Sequence, residues 1–255
     1  MRVHVVSDVH GSAEALARAG DGADVLVCLG DLVLFLDYHD PANGIFAELF
    51  GLEAAQQLID LRAAKDFDGA RAHSAGLYAT LGPDPREVLA GKVKEQYAGL
   101  FGVMKDPTYL TYGNVDVPAL WPEFLDSRHH VLDGQTTDIG GRTWGFVGGG
   151  LQTAMRTPHE ISDQDYAAKV AAVGAVDVLA CHIPPDVPEL LYDVEARRME
   201  RGSSATLQAI RDTQPGLVLF GHVHQPLQSR IRIGRTECVN VGHFQGTGAP
   251  YVLDY

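Results

Sequence analysis

Five short apolar runs, widely separated in a chain of 255 residues, each stop on Asp, Asn or His. Residues 3–7 lead into Asp8-Val9-His10-Gly11, and residues 24–29 into Gly30-Asp31. Residues 108–112 lead into Gly113-Asn114-Val115-Asp116, and 176–181 into His182-Ile183-Pro184-Pro185. Residues 217–220 lead into Gly221-His222-Val223-His224. Runs of four to six β-branched and apolar residues bounded by Gly and polar turns read as strands. In open α/β sheets the carboxyl ends of the strands form the ligand rim. The pattern therefore predicts that Asp8, His10, Asp31, Asn114, His182, His222 and His224 share one edge. Taken singly, each motif is an ordinary turn or a packed histidine. Only the five together constrain the chain.

Further strands are predicted at 142–147, 229–233, 238–241 and 251–253. Runs 24–29 and 176–181 are apolar throughout, as suits a sheet covered on both faces. Helical patterns fall between the strands. Ser12 is placed to cap a helix through Ala19, Ser162 one through Val173, and Ser203 or Ser204 one to about Asp212. The alternation gives an α/β class. Between about 42 and 106 no strand is evident. There 45–64, 67–81 and 85–103 read as helices, with Leu49, Leu52, Ala55, Gln56 and Ile59 on one face. This is predicted to be a helical insertion within a single domain spanning 1–255.

Charge narrows the partners. With 33 acidic and 20 basic residues the formal net charge is −13, a poor footprint for nucleic acid or an anionic membrane. An anionic substrate then needs a local positive centre, which bound metal supplies. Three cysteines, Cys28, Cys181 and Cys238, form no disulfide or zinc spacing. No signal-like leader and no long apolar span is evident, so the expected location is the cytoplasm and no membrane partner is expected.

Carboxylate, amide and imidazole donors without a thiolate suit Mn, Fe or Zn. A pair of such ions clamps the attacking and leaving oxygens of an in-line displacement at phosphorus, and a short acid bridges the two. The order Asp8-x-His10, Gly30-Asp31, Gly113-Asn114, His182 and Gly221-His222-x-His224 resembles the calcineurin-like metallophosphoesterase superfamily across essentially the whole chain. The resemblance implies a four-layer α/β/β/α sandwich of two mixed sheets. It implies that Asp8, His10 and His224 hold one metal, that Asp31 bridges both, and that Asn114, His182 and His222 hold the second. It further implies attack by a bridging hydroxide.

One departure bears on substrate. Many members read Gly-Asn-His at the third motif, where the histidine helps protonate the leaving group; here Val115 stands in its place. Loss of a general acid costs ~10²–10⁴-fold unless another donor serves, and less for a good leaving group. The leading expectation is a phosphodiesterase for a small or nucleotide-like diester. The alternatives are a phosphomonoesterase with a substitute acid and a non-catalytic metal-binding module. Substitute groups are His39 after the Asp31 motif, Arg156 and His159 after Gly148-Gly149-Gly150, and His243 after Val241-Gly242. Protein-phosphatase relatives carry Gly-Asp-x-Val-Asp-Arg-Gly, which is absent here. The helical insertion is expected to cap the cleft or to form a contact in a homo-oligomer.

Overall fold

The first strand of the computed structural model, which describes all 255 residues, sets the pattern for both sheets. In β1 (Arg2–Val6) Val3 and Val5 alternate with His4 and Val6, and all four are buried. There follow α1 (Ala13–Ala19), β2 (Val25–Cys28), α2 (Ile45–Phe50), α3 (Leu52–Ala63), α4 (Phe67–Tyr78), α5 (Pro85–Val103) and β3 (Thr108–Leu110). A 3-10 turn at Pro118–Glu123 precedes β4 (His129–Val131), β5 (Gln135–Ile139), β6 (Arg142–Val147), β7 (Gly150–Leu151) and β8 (Glu160–Ile161). Then come α6 (Asp163–Val173), β9 (Val178–Cys181), α7 (Pro188–Leu191), β10 (Tyr192–Asp193), β11 (Arg198–Met199) and α8 (Ser204–Thr213). The chain closes with β12 (Leu217–Phe220), β13 (Arg230–Ile233), β14 (Thr236–Asn240), α9 (Phe244–Thr247) and β15 (Tyr251–Asp254). No helix is long and apolar enough to cross a membrane.

The chain divides into two compact units, residues 1–32 with 100–255, and residues 33–99. The first holds two mixed sheets, ordered β15-β1-β2-β3-β4 and β13-β14-β12-β9-β6-β5. β1 to β4 pair in parallel, and so do β6, β9, β12 and β14; β15, β13 and β5 add antiparallel edges. Between the sheets, Val3, Val5, Val25 and Val27 pack with Trp144, Phe146, Val178, Ala180 and Leu219. Each Val, Leu or Phe side chain among them contributes ~1.5–3 kcal/mol on full burial. The outer face of the second sheet meets α6 and α8 through Tyr166, Val170 and Ile210. The outer side of the first is met by α1, whose Ala19 carbonyl lies 2.7 Å from His4 Nδ1. The result is the expected α/β/β/α layering. β2 and β9 are buried at every residue, as their unbroken apolar runs require.

Two of the three predicted caps act as caps. Ser162 Oγ accepts from Asp165 N, and Ser203 Oγ accepts from Thr206 N. Ser12 occupies the N-cap position of α1 but makes no side-chain cap bond, which corrects that expectation. Strands β4 and β5 escaped the sequence pattern. β5 is mostly exposed, so its residues carry no apolar run.

The second unit, taken by itself, is helical. The single helix predicted at 45–64 is two helices, because Gly51 at φ 84° leaves the right-handed helical region and restarts the turn. The restart changes which residues share a face. Ala55 and Leu58 pack with Phe46, Leu36 and Ala70, whereas Leu52 and Gln56, expected on one face with Ala55, are exposed.

Candidate metal centre

Parallel neighbours end on the same edge of a sheet, so their following turns gather there. β1 delivers Asp8 and His10, β2 Asp31, β3 Asn114, β9 His182, and β12 His222 and His224. β14 adds His243, all within the first unit. Four of these residues, Asp8, His10, Asp31 and His222, have positive φ, at 57°, 40°, 55° and 68°. A non-glycine residue held there costs ~1–3 kcal/mol and persists only when its surroundings over-determine it.

The surroundings do so by interlocking the turns. Asp8 N donates to Gly30 O at 3.1 Å, His10 N to Asp31 O at 2.9 Å, and Gly11 N to Leu32 O at 2.8 Å. His222 N donates to Asp8 Oδ2 at 2.9 Å, and Val115 N to Asp31 Oδ1 at 2.9 Å. The carboxylates pass so close to neighbouring backbone that a Cβ on Gly113 would overlap Asp31 Oδ1, and one on Gly221 would overlap Asp8 Oδ2.

The donor atoms then converge. His10 Nε2 lies 3.3 Å from His224 Nε2, and His224 Nε2 lies 3.6 Å from Asp8 Oδ1. Asp31 Oδ2 lies 4.0 Å from His10 Nε2 and 3.4 Å from His182 Nε2, so it stands between two groups of donors. Asn114 Oδ1 lies 3.0 Å from His182 Nε2 and 2.9 Å from His222 Nδ1. Asp8–His10–Asp31, Asp31–His182–His222 and His10–His224–His243 each place their ligand atoms within 4.8 Å of one another.

Charge in the cluster is strongly coupled. Burial pushes the Asp8 and Asp31 carboxyls up, but His224 beside Asp8 and His182 beside Asp31 hold both below the ordinary carboxylate range. Asp116 goes the other way, raised by burial and by Asp31 to about 6. Burial opposes charge on His182, yet Asp31, Asp8 and Asp116 outweigh it and lift the imidazole to about 9. Burial and the neighbouring His182 lower His222, while burial and His224 lower His243 to about 4.

These residues fit a cation pair, and His182 shows why. Its Nδ1 faces Leu29 O at 2.9 Å, a carbonyl that can only accept, so Nδ1 carries a proton. Nε2 then faces two more oxygens, Asp31 Oδ2 and Asn114 Oδ1. A positive centre beside these oxygens satisfies them; without a cation a second proton must. Neither Asp8 nor Asp31 has a Lys or Arg partner, although both are buried. Buried charge is normally paired or bound to metal.

All seven predicted ligand positions therefore come together. Of the four other candidates, His243 joins them: its ring stacks on His224 at 3.8 Å between centroids and lies 5.8 Å from His10. His159 donates its backbone N–H to Asn114 O at 2.9 Å, with its ring edge-on to Tyr112. Arg156 is exposed, two residues before Pro158 in the same loop, at φ 54°. His39 belongs to the second unit, where its N–H donates to Asp37 Oδ1 at 2.9 Å. Sequence reasoning missed two residues that touch the site's frame. Thr157 Oγ1 accepts from Asn114 Nδ2 at 3.1 Å. Buried Asp193 accepts from the N–H groups of Glu195, Ala196 and Gln225, fixing the segment after His224. Neither carries a motif.

The sequence profile of calcineurin-like phosphoesterases matches residues 1–226. No curated protein matches the chain. Among solved structures, TT1561 of Thermus thermophilus aligns with a TM-score of 0.55 at 15% identity, over 96% of this chain and 90% of that one. The likeness is one of fold. GAP50, the anchor in the inner membrane complex of Plasmodium, aligns with a TM-score of 0.39 at 11% identity, over 95% and 71% of the two chains.

Proposed function

The chain belongs to the calcineurin-like phosphoesterase family and is thus a phosphoester hydrolase; from that premise we propose a two-metal phosphodiesterase acting on a small or nucleotide-like diester. The observation that carries the metal reading is the placement of Asp31 and Asn114 oxygens around His182 Nε2. In this reading Asp8, His10 and His224 hold one ion, Asn114, His182 and His222 the other, and Asp31 both. Mn, Fe or Zn suits a donor set of carboxylate, amide and imidazole. When bound, such ions supply Lewis-acid charge and bring the pKa of a water toward ~7.

The chain's own groups do the rest. Asn114 offers a neutral oxygen, which adds no charge to repel a phosphate. Asp31 is held by Val115 N on one oxygen, leaving the other directed between the two donor groups. Val115 itself has nothing to give a leaving group, and this favours a diester whose leaving group departs with little help. Arg156, in the loop that also brings Thr157 to Asn114, is assigned to the substrate phosphate. His243 is assigned to orienting His224, on which its ring stacks; burial and His224 lower it to about 4, so it has no proton to give near neutral pH. The cytoplasm belongs to the same reading; three free, buried cysteines support a reducing compartment.

Hydrolysis of bis(4-nitrophenyl) phosphate and 4-nitrophenyl phosphate by the protein loaded with Mn, Fe or Zn tests this. Faster metal-dependent cleavage of the diester, lost in Asp31→Asn, is the expected result. Preference for the monoester overturns the diester assignment, and activity unchanged in Asp31→Asn overturns the two-metal site.

A further inference from the structure

The loop between β7 and β8 closes over Asn114. Gly150 N donates to His159 O at 3.0 Å, His159 N donates to Asn114 O at 2.9 Å, and a Cβ on Gly150 would overlap that of Asn114. Within this loop runs a directional chain of hydrogen bonds. Glu160 accepts from Thr153 N at 2.7 Å, from Thr153 Oγ1 at 2.6 Å, and from Thr157 Oγ1 at 3.0 Å. A carboxylate can only accept, and a threonine hydroxyl has one hydrogen to give. Thr153 Oγ1 accepts from Met155 N at 3.1 Å, so its own hydrogen also goes to Glu160.

The direction of each bond then follows. Thr157 spends its hydrogen on Glu160, so it meets Asn114 with a lone pair, and the Asn114 atom it meets must be a donor. That atom is Nδ2, 3.1 Å away. The other end of the amide, Oδ1, is therefore turned toward His182 and His222. An amide flipped the opposite way would set two oxygens against each other at Thr157. It would also turn an NH₂ group toward the place where a cation is wanted.

We infer that Thr157 and Glu160 are positioning residues that fix the Asn114 amide with its oxygen toward the metal centre. The inference rests on the reading of Asn114 as a metal ligand. Outer partners of this kind are worth ~10–100-fold in metal affinity.

The test is calorimetric titration of the full-length, metal-stripped protein with Mn²⁺ alone, with a thermal melt of each variant. Thr157→Val, of nearly equal shape, is expected to weaken one of two sites by about 10–100-fold. The second site and the melting midpoint should stay as in the wild type. Glu160→Gln, which can offer Thr157 an NH₂ instead of an acceptor, should act in the same direction. Thr157→Ser should restore binding, and Thr157→Val should add nothing to Asn114→Ala, since the two act through one contact. Wild-type binding at both sites in Thr157→Val and Glu160→Gln overturns the inference. So does equal weakening of both sites with a lowered midpoint, which marks a general structural role. A wild-type protein that takes up no Mn²⁺ overturns the ligand reading beneath it instead.

Discussion

The carboxylate of Asp116 grips the turn that carries Asp31. Its Oδ2 accepts from Asp31 N at 2.9 Å and from Gly113 N at 2.7 Å, and its Oδ1 accepts from Leu32 N at 3.0 Å. One buried side chain thus ties the ends of β2 and β3 together and holds Asp31 at its positive φ. Asp116→Ala leaves three buried amides without that partner, at ~1–3 kcal/mol each. We predict a loss of about 3 kcal/mol or more in denaturant unfolding, with Asp116→Asn losing less because it keeps one acceptor. Equal stability of wild type and Asp116→Ala would contradict this.

Trp144 should be among the costliest core residues. It is fully buried between the sheets, and its Nε1 donates to Tyr255 Oη at 3.0 Å. Trp144→Ala is predicted to cost ~3–5 kcal/mol in equilibrium unfolding. A change below about 1 kcal/mol would mean that the sheets repack without it.

At the start of β4, His129 gives the fold an acid-sensitive element. Burial lowers its pKa below 6.5, more than the nearby Asp126 raises it, and its ring sits edge-on to Phe101. The unfolded state therefore binds a proton more readily than the folded one. Its contribution is full above pH ~6.5 and is lost as pH falls through the folded value. Between pH 7 and 5, wild type should lose stability relative to His129→Phe in denaturant titrations. A gain over that interval would contradict the assignment.

The candidate ligand positions were legible because each stands just after an apolar run, so strand direction alone sends them to one edge. Ser162 and Ser203 were legible for the same local reason. Other features depend on contacts distant in sequence. Nothing near Ser12 shows that its hydroxyl will miss the helix. The spacing of Leu49, Leu52 and Ile59 reads straight through Gly51, where the backbone turns away. The role of Thr157 needs a contact across 43 residues, and that of Glu160 follows only once the bonds have a direction.

Anomalous diffraction from crystals soaked in Mn²⁺ tests the central claim most directly. The account predicts two peaks, one among Asp8, His10, Asp31 and His224, the other among Asp31, Asn114, His182 and His222, both missing in Asp31→Asn. A single peak, peaks bound by other residues, or none at all would contradict it.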